Sequence, residues 1–182
     1  MGRTALIVVD MLNHYEHEDA DKLAESVEET LPPLRELIGR AAGEDVMTIY
    51  VNDNHDDWES DRDGLVQRAL DGARPDLVEP IVPRGEDLLI AKTRHSIFYA
   101  TPLEYILSQE DIDRIVLAGQ VTEQCILYSA LDGHIRHIPV TVPRDAVAHI
   151  FDELAVASLK MMERNMHAEV CDAGDCRLGE RH

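Results

Sequence analysis

Apolar residues in this chain gather in short runs: "ALIVV" at 5–9, "VMTIYV" at 46–51, "LLIA" at 88–91, "RIVLA" at 114–118, "IPVTV" at 138–142 and "AEVC" at 168–171. They are rich in Val, Ile and Leu and too short for buried helices, so they predict strands covered on both faces. Between them the apolar positions recur at helical spacing over 22–41, 102–109, 122–132 and 151–165. Strand and helix alternate, which is the order of a parallel sheet with a helical layer on each side. "TPLE" sharpens one boundary, with Thr101 as N-cap, Pro102 at the first helical position and Glu104 at the third. The stretch from Asn52 to Gly64, "NDNHDDWESDRDG", is polar and predicts a long irregular connection.

Composition narrows the picture. A chain of 182 residues buries a sufficient core as one domain, 1–182, with 172–182 expected as a C-terminal tail. Seventeen Lys and Arg against 36 Asp and Glu give a net charge of −19, which repels phosphate backbones and anionic lipid. Neither nucleic acid nor a membrane is an expected partner, and the acidic runs read as solvated surface. No run is long enough to cross a bilayer, and the apolar N-terminal run ends at Asp10 without a cleavage site, so the expected location is cytoplasmic. The three cysteines do not form a disulfide framework. Cys171 reads as the end of the last strand and Cys176 as a surface thiol on the tail.

Ligands of open parallel sheets bind at the carboxyl ends of the strands. Four such ends carry chemistry: Asp10, the segment from Asn52 to His55, Lys92, and Cys125. "VVDMLNHYE" holds no glycine, so the first strand lacks a phosphate-binding loop and nucleotide binding is disfavoured. If Thr122 caps a helix starting at Glu123, the Cys125 thiol lies in the first turn, where the helix dipole favours thiolate. Were Asp10 and Lys92 to meet it there, the ammonium would keep Asp10 ionised and lower the thiol's pKa, while Asp10 accepted its proton.

With these residues in view, the sequence resembles the isochorismatase-like cysteine hydrolases, from about Thr4 to Val170. The carriers are "ALIVVDML", "YVNDN", "KTRHSIFYATPLE", "LAGQVTEQC" and "VPRDAVA", in family order and spacing. The resemblance implies a three-layer α/β/α fold with a six-stranded, mainly parallel sheet, and a catalytic triad of Asp10, Lys92 and Cys125. It also implies a cis peptide between Gln120 and Val121, with the backbone N–H groups of Val121 and Cys125 forming an oxyanion hole. Thr122 would then bond Gln124 N–H and leave that of Cys125 free. The implied reaction is hydrolysis of a small amide or ureide C–N bond through a thioester. Nicotinamidase or isochorismatase-type hydrolysis is the first alternative, and a noncatalytic metabolite-binding or thiol-sensing protein the second.

Asn13, Trp58, His95, Phe98 and Tyr99 stand near the triad in sequence and are candidates for the substrate pocket. Each also has a plain structural reading as core or loop. Nicotinamidases of the family bind a metal through Asp-x-His and further histidines, and Asp53-Asn54-His55 supplies half of such a site. No histidine follows until His95, so Asp56 or Asp57 would have to contribute, and the expectation is no cofactor, with zinc at Asp53 and His55 the lesser alternative. Asp145, in "PRDAVA", is expected to fix backbone. The family also implies a homodimer or homotetramer.

Overall fold

The six apolar runs become strands of a single sheet. The structure, a computed structural model, describes residues 2–59, 61–85 and 87–179. In chain order the strands are β1 (Arg3–Val9), β2 (Met47–Asp53), β3 (Leu88–Lys92), β4 (Ile112–Gln120), β5 (Val140–Pro143), β6 (Val147–Ala148) and β7 (Glu169–Cys171). All pair in parallel, in the order β3-β2-β1-β4-β5-β7, while the short β6 continues beyond β5 against the end of β4. The chain winds outward from β1 to β3 and then returns to the other side of β1 as β4. The sheet order therefore reverses between β1 and β4, which places a crevice at their carboxyl ends.

The helices are α1 (Ala20–Gly43), α2 (Arg62–Leu70), α3 (Pro75–Val78), α4 (Leu103–Gln109), α5 (Leu127–Ile135) and α6 (Asp152–Asn165). Because strand side chains alternate, β1 serves two cores. Leu6 and Val8 join Leu34, Leu37 and Val116 beneath α1, while Ala5, Ile7 and Val9 join Leu103, Ile126, Ala130 and Met162 beneath α4, α5 and α6. The three-layer α/β/α expectation holds, with β6 as a seventh strand.

Four local expectations change. Helix α2 occupies the end of the stretch read as irregular; its N-terminal "DRDG" hides the signal, yet Asp61 caps it by accepting from Gly64 N–H at 2.9 Å. Helix α4 begins at Leu103 with Pro102 as its cap residue, one position later than expected, while the Thr101 hydroxyl donates to Ile97 O and accepts from Leu103 N–H at 3.4 Å. Residues 172–179 are packed and not a loose tail: Arg40 donates to Ala173 O and Cys176 O at 2.8 and 2.7 Å, and Leu178 is buried. Cys176 is accordingly buried at 1% exposure, not a surface thiol. Asp145 does fix backbone, accepting from Ala173 N–H at 2.7 Å.

Gly119, near the end of β4, has φ +114, and a Cβ built there would lie 2.2 Å from Val9 O. Both the conformation and the close approach of β1 demand glycine. Gly119→Ala should lower the urea midpoint by an amount equivalent to about 3 kcal/mol or more, or abolish soluble expression. Gly39→Ala, on α1 with open space around it, should instead stabilise by about 0.5–1 kcal/mol. Equal effects of the two would refute the contact.

Candidate active site

Asp10 follows β1 with φ +54, a left-handed conformation that Asp tolerates better than most residues. Its N–H donates to Val51 O at 3.0 Å, and its Oδ1 accepts from Asp53 N–H at 2.7 Å. The carboxylate is thereby oriented by the neighbouring strand. Lys92 ends β3 directly beside Asp53 in the ladder and is 1% exposed. Its Nζ lies 2.9 Å from Asp10 Oδ2 and 3.5 Å from Asp53 Oδ2, and it donates to Cys125 Sγ at 3.6 Å. Four strand ends thus deliver one cation, two carboxylates and a thiol to one spot.

Cys125 arrives from β4 through a cis peptide between Gln120 and Val121, as the resemblance implied. The chain then makes a wide π-turn, Thr122–Ile126, before entering α5. Val121 O accepts from the N–H groups of Gln124 and Ile126, and neither bond uses the Cys125 N–H. Thr122 does not cap through its side chain. Its hydroxyl donates to Ala148 O at 2.9 Å, since β6 ends alongside and presents that carbonyl.

The electrostatics of the sulfur differ from expectation. Burial raises the Cys125 pKa most, the Asp10 charge raises it further, and Lys92 offsets them only in part, so the thiol is held protonated. Burial alone would lower Lys92, but Asp10, Cys125 and Asp53 outweigh it and its pKa is raised. The cation has two carboxylates to satisfy before it can serve the sulfur.

The profile of the isochorismatase domain matches residues 4–175 of this chain. The chain belongs to the isochorismatase family. It is 31% identical over 166 residues to an uncharacterized isochorismatase family protein of Bacillus subtilis, YaaI, covering 91% of this chain and 92% of that one. Among solved structures it resembles N-carbamoylsarcosine amidase of Thermoplasma acidophilum (26% identity, TM-score 0.75, 96% of this chain and 99% of that one). It is equally similar to a cysteine hydrolase of Pseudomonas syringae (26%, TM-score 0.75, 95% and 90%). This chain is an isochorismatase-family hydrolase.

Within the isochorismatase-family frame the pocket candidates separate. His95 Nδ1 lies 3.9 Å from Cys125 Sγ, and its ring packs on Tyr128 at 5.4 Å. Both line a cavity of about 390 Å³ with Arg94, Ser96, Tyr99 and Asp132. The other three candidates go elsewhere. Phe98 is buried in the core with the Arg136 guanidinium 4.8 Å from its ring centroid, because the preceding Ile97 and Ser96 turn it inward. Trp58 is 72% exposed on its loop. Asn13 folds into its own turn, accepting from Tyr15 N–H at 2.8 Å with its amide nitrogen 3.3 Å from His17 Nε2.

Asp53 and His55 do not fit a metal. Asp53 directs one oxygen to Lys92 and the other to His55 N–H, while His55 Nε2 faces Leu12 O. Asp57 pairs with Arg68 at 3.6 Å, and among the described residues no three His, Cys, Asp or Glu side chains are grouped to hold an ion.

Several residues take supporting roles that the sequence reading did not give them. Asn52 clamps the segment after Asp10, accepting from Leu12 N–H and donating to Leu12 O at 2.9 and 3.1 Å. Gln120 donates to Asp10 O at 2.6 Å, and Glu123 accepts from the N–H groups of Ile150 and Phe151. Asn52 and Gln120 stand at carboxyl strand ends the sequence analysis named, where a polar side chain is a signal for such a role. Glu123 and Tyr128 offered none.

The buried groups dictate an alkaline limit. Cys125, Cys176 (pushed up to about 12) and Lys92 all bind their protons more tightly in the fold than their ordinary values of 9.0 and 10.5 allow. Raised values stabilise the fold at low pH and lose that stabilisation as pH rises, so unfolding free energy should fall from about pH 9 upward. Urea unfolding between pH 8 and 11 should show this fall, and Cys125→Ala should make it shallower by up to about 1.4 kcal/mol per pH unit. A flat wild-type profile would contradict the burial of these groups.

Proposed function

We propose that this hydrolase cleaves a small amide or ureide C–N bond with Cys125 as nucleophile and Asp10 as proton carrier. The observation that carries the reading is the contact of one buried ammonium, Lys92, with both Asp10 and Cys125. Asp10 takes the S–H proton, the sulfur attacks the carbonyl carbon, and the proton passes to the departing nitrogen. Water, activated by the same carboxylate, then cleaves the thioester. The amide N–H groups of Val121 and Cys125 serve as donors to the oxyanion, each contributing about 3 kcal/mol in comparable sites.

Because burial and then the Asp10 charge raise the Cys125 pKa, deprotonation is coupled to attack. Lys92 keeps a positive charge beside the sulfur as negative charge develops there. Similarity to a carbamoyl-amino-acid amidase and to a cysteine hydrolase, both at 26% identity, supports C–N bond cleavage over isochorismatase-type chemistry.

Primary amides, N-carbamoyl amino acids and nicotinamide, each assayed by ammonia release, should include at least one substrate. On that substrate Cys125→Ala should lose at least about a thousandfold in kcat/KM, and Asp10→Asn a comparable factor. Turnover undiminished in Cys125→Ala would end the proposal.

A further inference from the structure

The Asp10–Lys92–Asp53 cluster leaves the sulfur short of positive charge. Two carboxylates surround one ammonium, so forming a thiolate there adds a second net negative charge to a buried site. Asp10 shares its oxygens among several partners, accepting from Asp53 N–H, pairing with Lys92 and meeting the Cys125 thiol. On the opposite side of the sulfur, His95 Nδ1 stands 3.9 Å from Sγ. Its ring is exposed to solvent on one side and kept in place by Tyr128, 5.4 Å away and tilted by 45°. His95 therefore approaches the thiol with one ring nitrogen and also lines the cavity of about 390 Å³.

We propose that His95 is a second proton acceptor for Cys125, so that this chain carries a cysteine–histidine pair beside its Asp–Lys–Cys cluster. The inference rests on the reading of Cys125 as nucleophile. The step is a proton transfer: the S–H bond breaks, an N–H bond forms at Nδ1, and Nε2 keeps the proton it already held. Imidazolium then faces thiolate, and the charge that the two carboxylates deny the sulfur comes from the pocket side. Other groups around the ring modulate the pair without replacing it. Arg94 lies on the same loop, Tyr128 and Asp132 on α5, and Lys92 and Asp10 behind the sulfur. Asp132 is already paired with Arg136 at 2.8 Å, which leaves its charge largely answered.

The test reads the thiol directly and needs no substrate. Alkylation by iodoacetamide is followed from pH 5 to 10, with Cys125, Cys171 and Cys176 resolved as separate peptides by mass spectrometry. In the wild type, the Cys125 rate should show a lower step that levels off before the alkaline rise of the thiol itself. His95→Gln and His95→Phe should both lose the lower step and react about tenfold more slowly at pH 7.5. A wild-type profile with no lower step overturns the proposal. So does a Phe variant that keeps the step, since the ring would then act by packing on Tyr128 alone. Cys176, 1% exposed, reports folding in the same samples: it stays unreactive in any variant that retains the fold. If Cys125→Ala proves to retain turnover, the hydrolase reading falls while this profile still reports the pair.

Discussion

The ammonium of Lys92 is the constraint on which the rest of the structure depends. A cation with 1% exposure is tolerable only if its partners replace water, and here Asp10, Asp53 and Cys125 do so from three different strand ends. Removing one partner of such a buried pair costs about 3–5 kcal/mol in comparable proteins, because the other charge stays behind unanswered. The cluster thus ties the end of β3 to those of β1 and β2, and through the turn after β4 to the start of α5. The same charges that could perform chemistry also fix the relative positions of these elements.

That dual role explains the state of the sulfur. Lys92 satisfies two carboxylates first, so its pull on the thiol is outweighed by burial and by the Asp10 charge. The cluster is charge-dense, yet burial and the Asp10 charge keep the pKa of its thiol raised. A thiol of this kind remains one proton transfer from a thiolate.

Much of this was legible in the sequence, for reasons that differ by feature. Fully covered strands leave unbroken apolar runs, so all six predicted strands appear within a few residues of their predicted limits. Asp10, Lys92 and Cys125 were readable because strand ends of a parallel sheet converge, and the family motifs sharpened that reading. Thr122 misled because an N-cap rule presumes an ordinary α-turn, whereas here a π-turn and a two-residue β6 redirect its hydroxyl to Ala148 O. Cys176 misled because nothing local shows that Arg40, far away on α1, will hold its carbonyl. Phe98 and His95 stand three residues apart in one loop, yet one faces the core and the other the sulfur; sequence proximity to Lys92 could not separate them.

The backbone around Asp10 shows how much of the fold serves one carboxylate. Its left-handed φ sets the chain's exit from β1, Asn52 brackets Leu12 by donating and accepting, Gln120 holds the Asp10 carbonyl, and Gly119 lets β4 approach Val9 without a side chain between them. These constraints come from β1 itself and from β2 and β4 on either side of it, so Asp10 cannot shift without disturbing its neighbouring strands. The pocket side of the sulfur is built otherwise, from His95, Tyr99 and Tyr128 on a loop and a helix surface. A rigid sheet edge that fixes the charged cluster, facing a wall built from a loop and a helix surface, separates the part of the site the sheet constrains from the part it leaves free to vary.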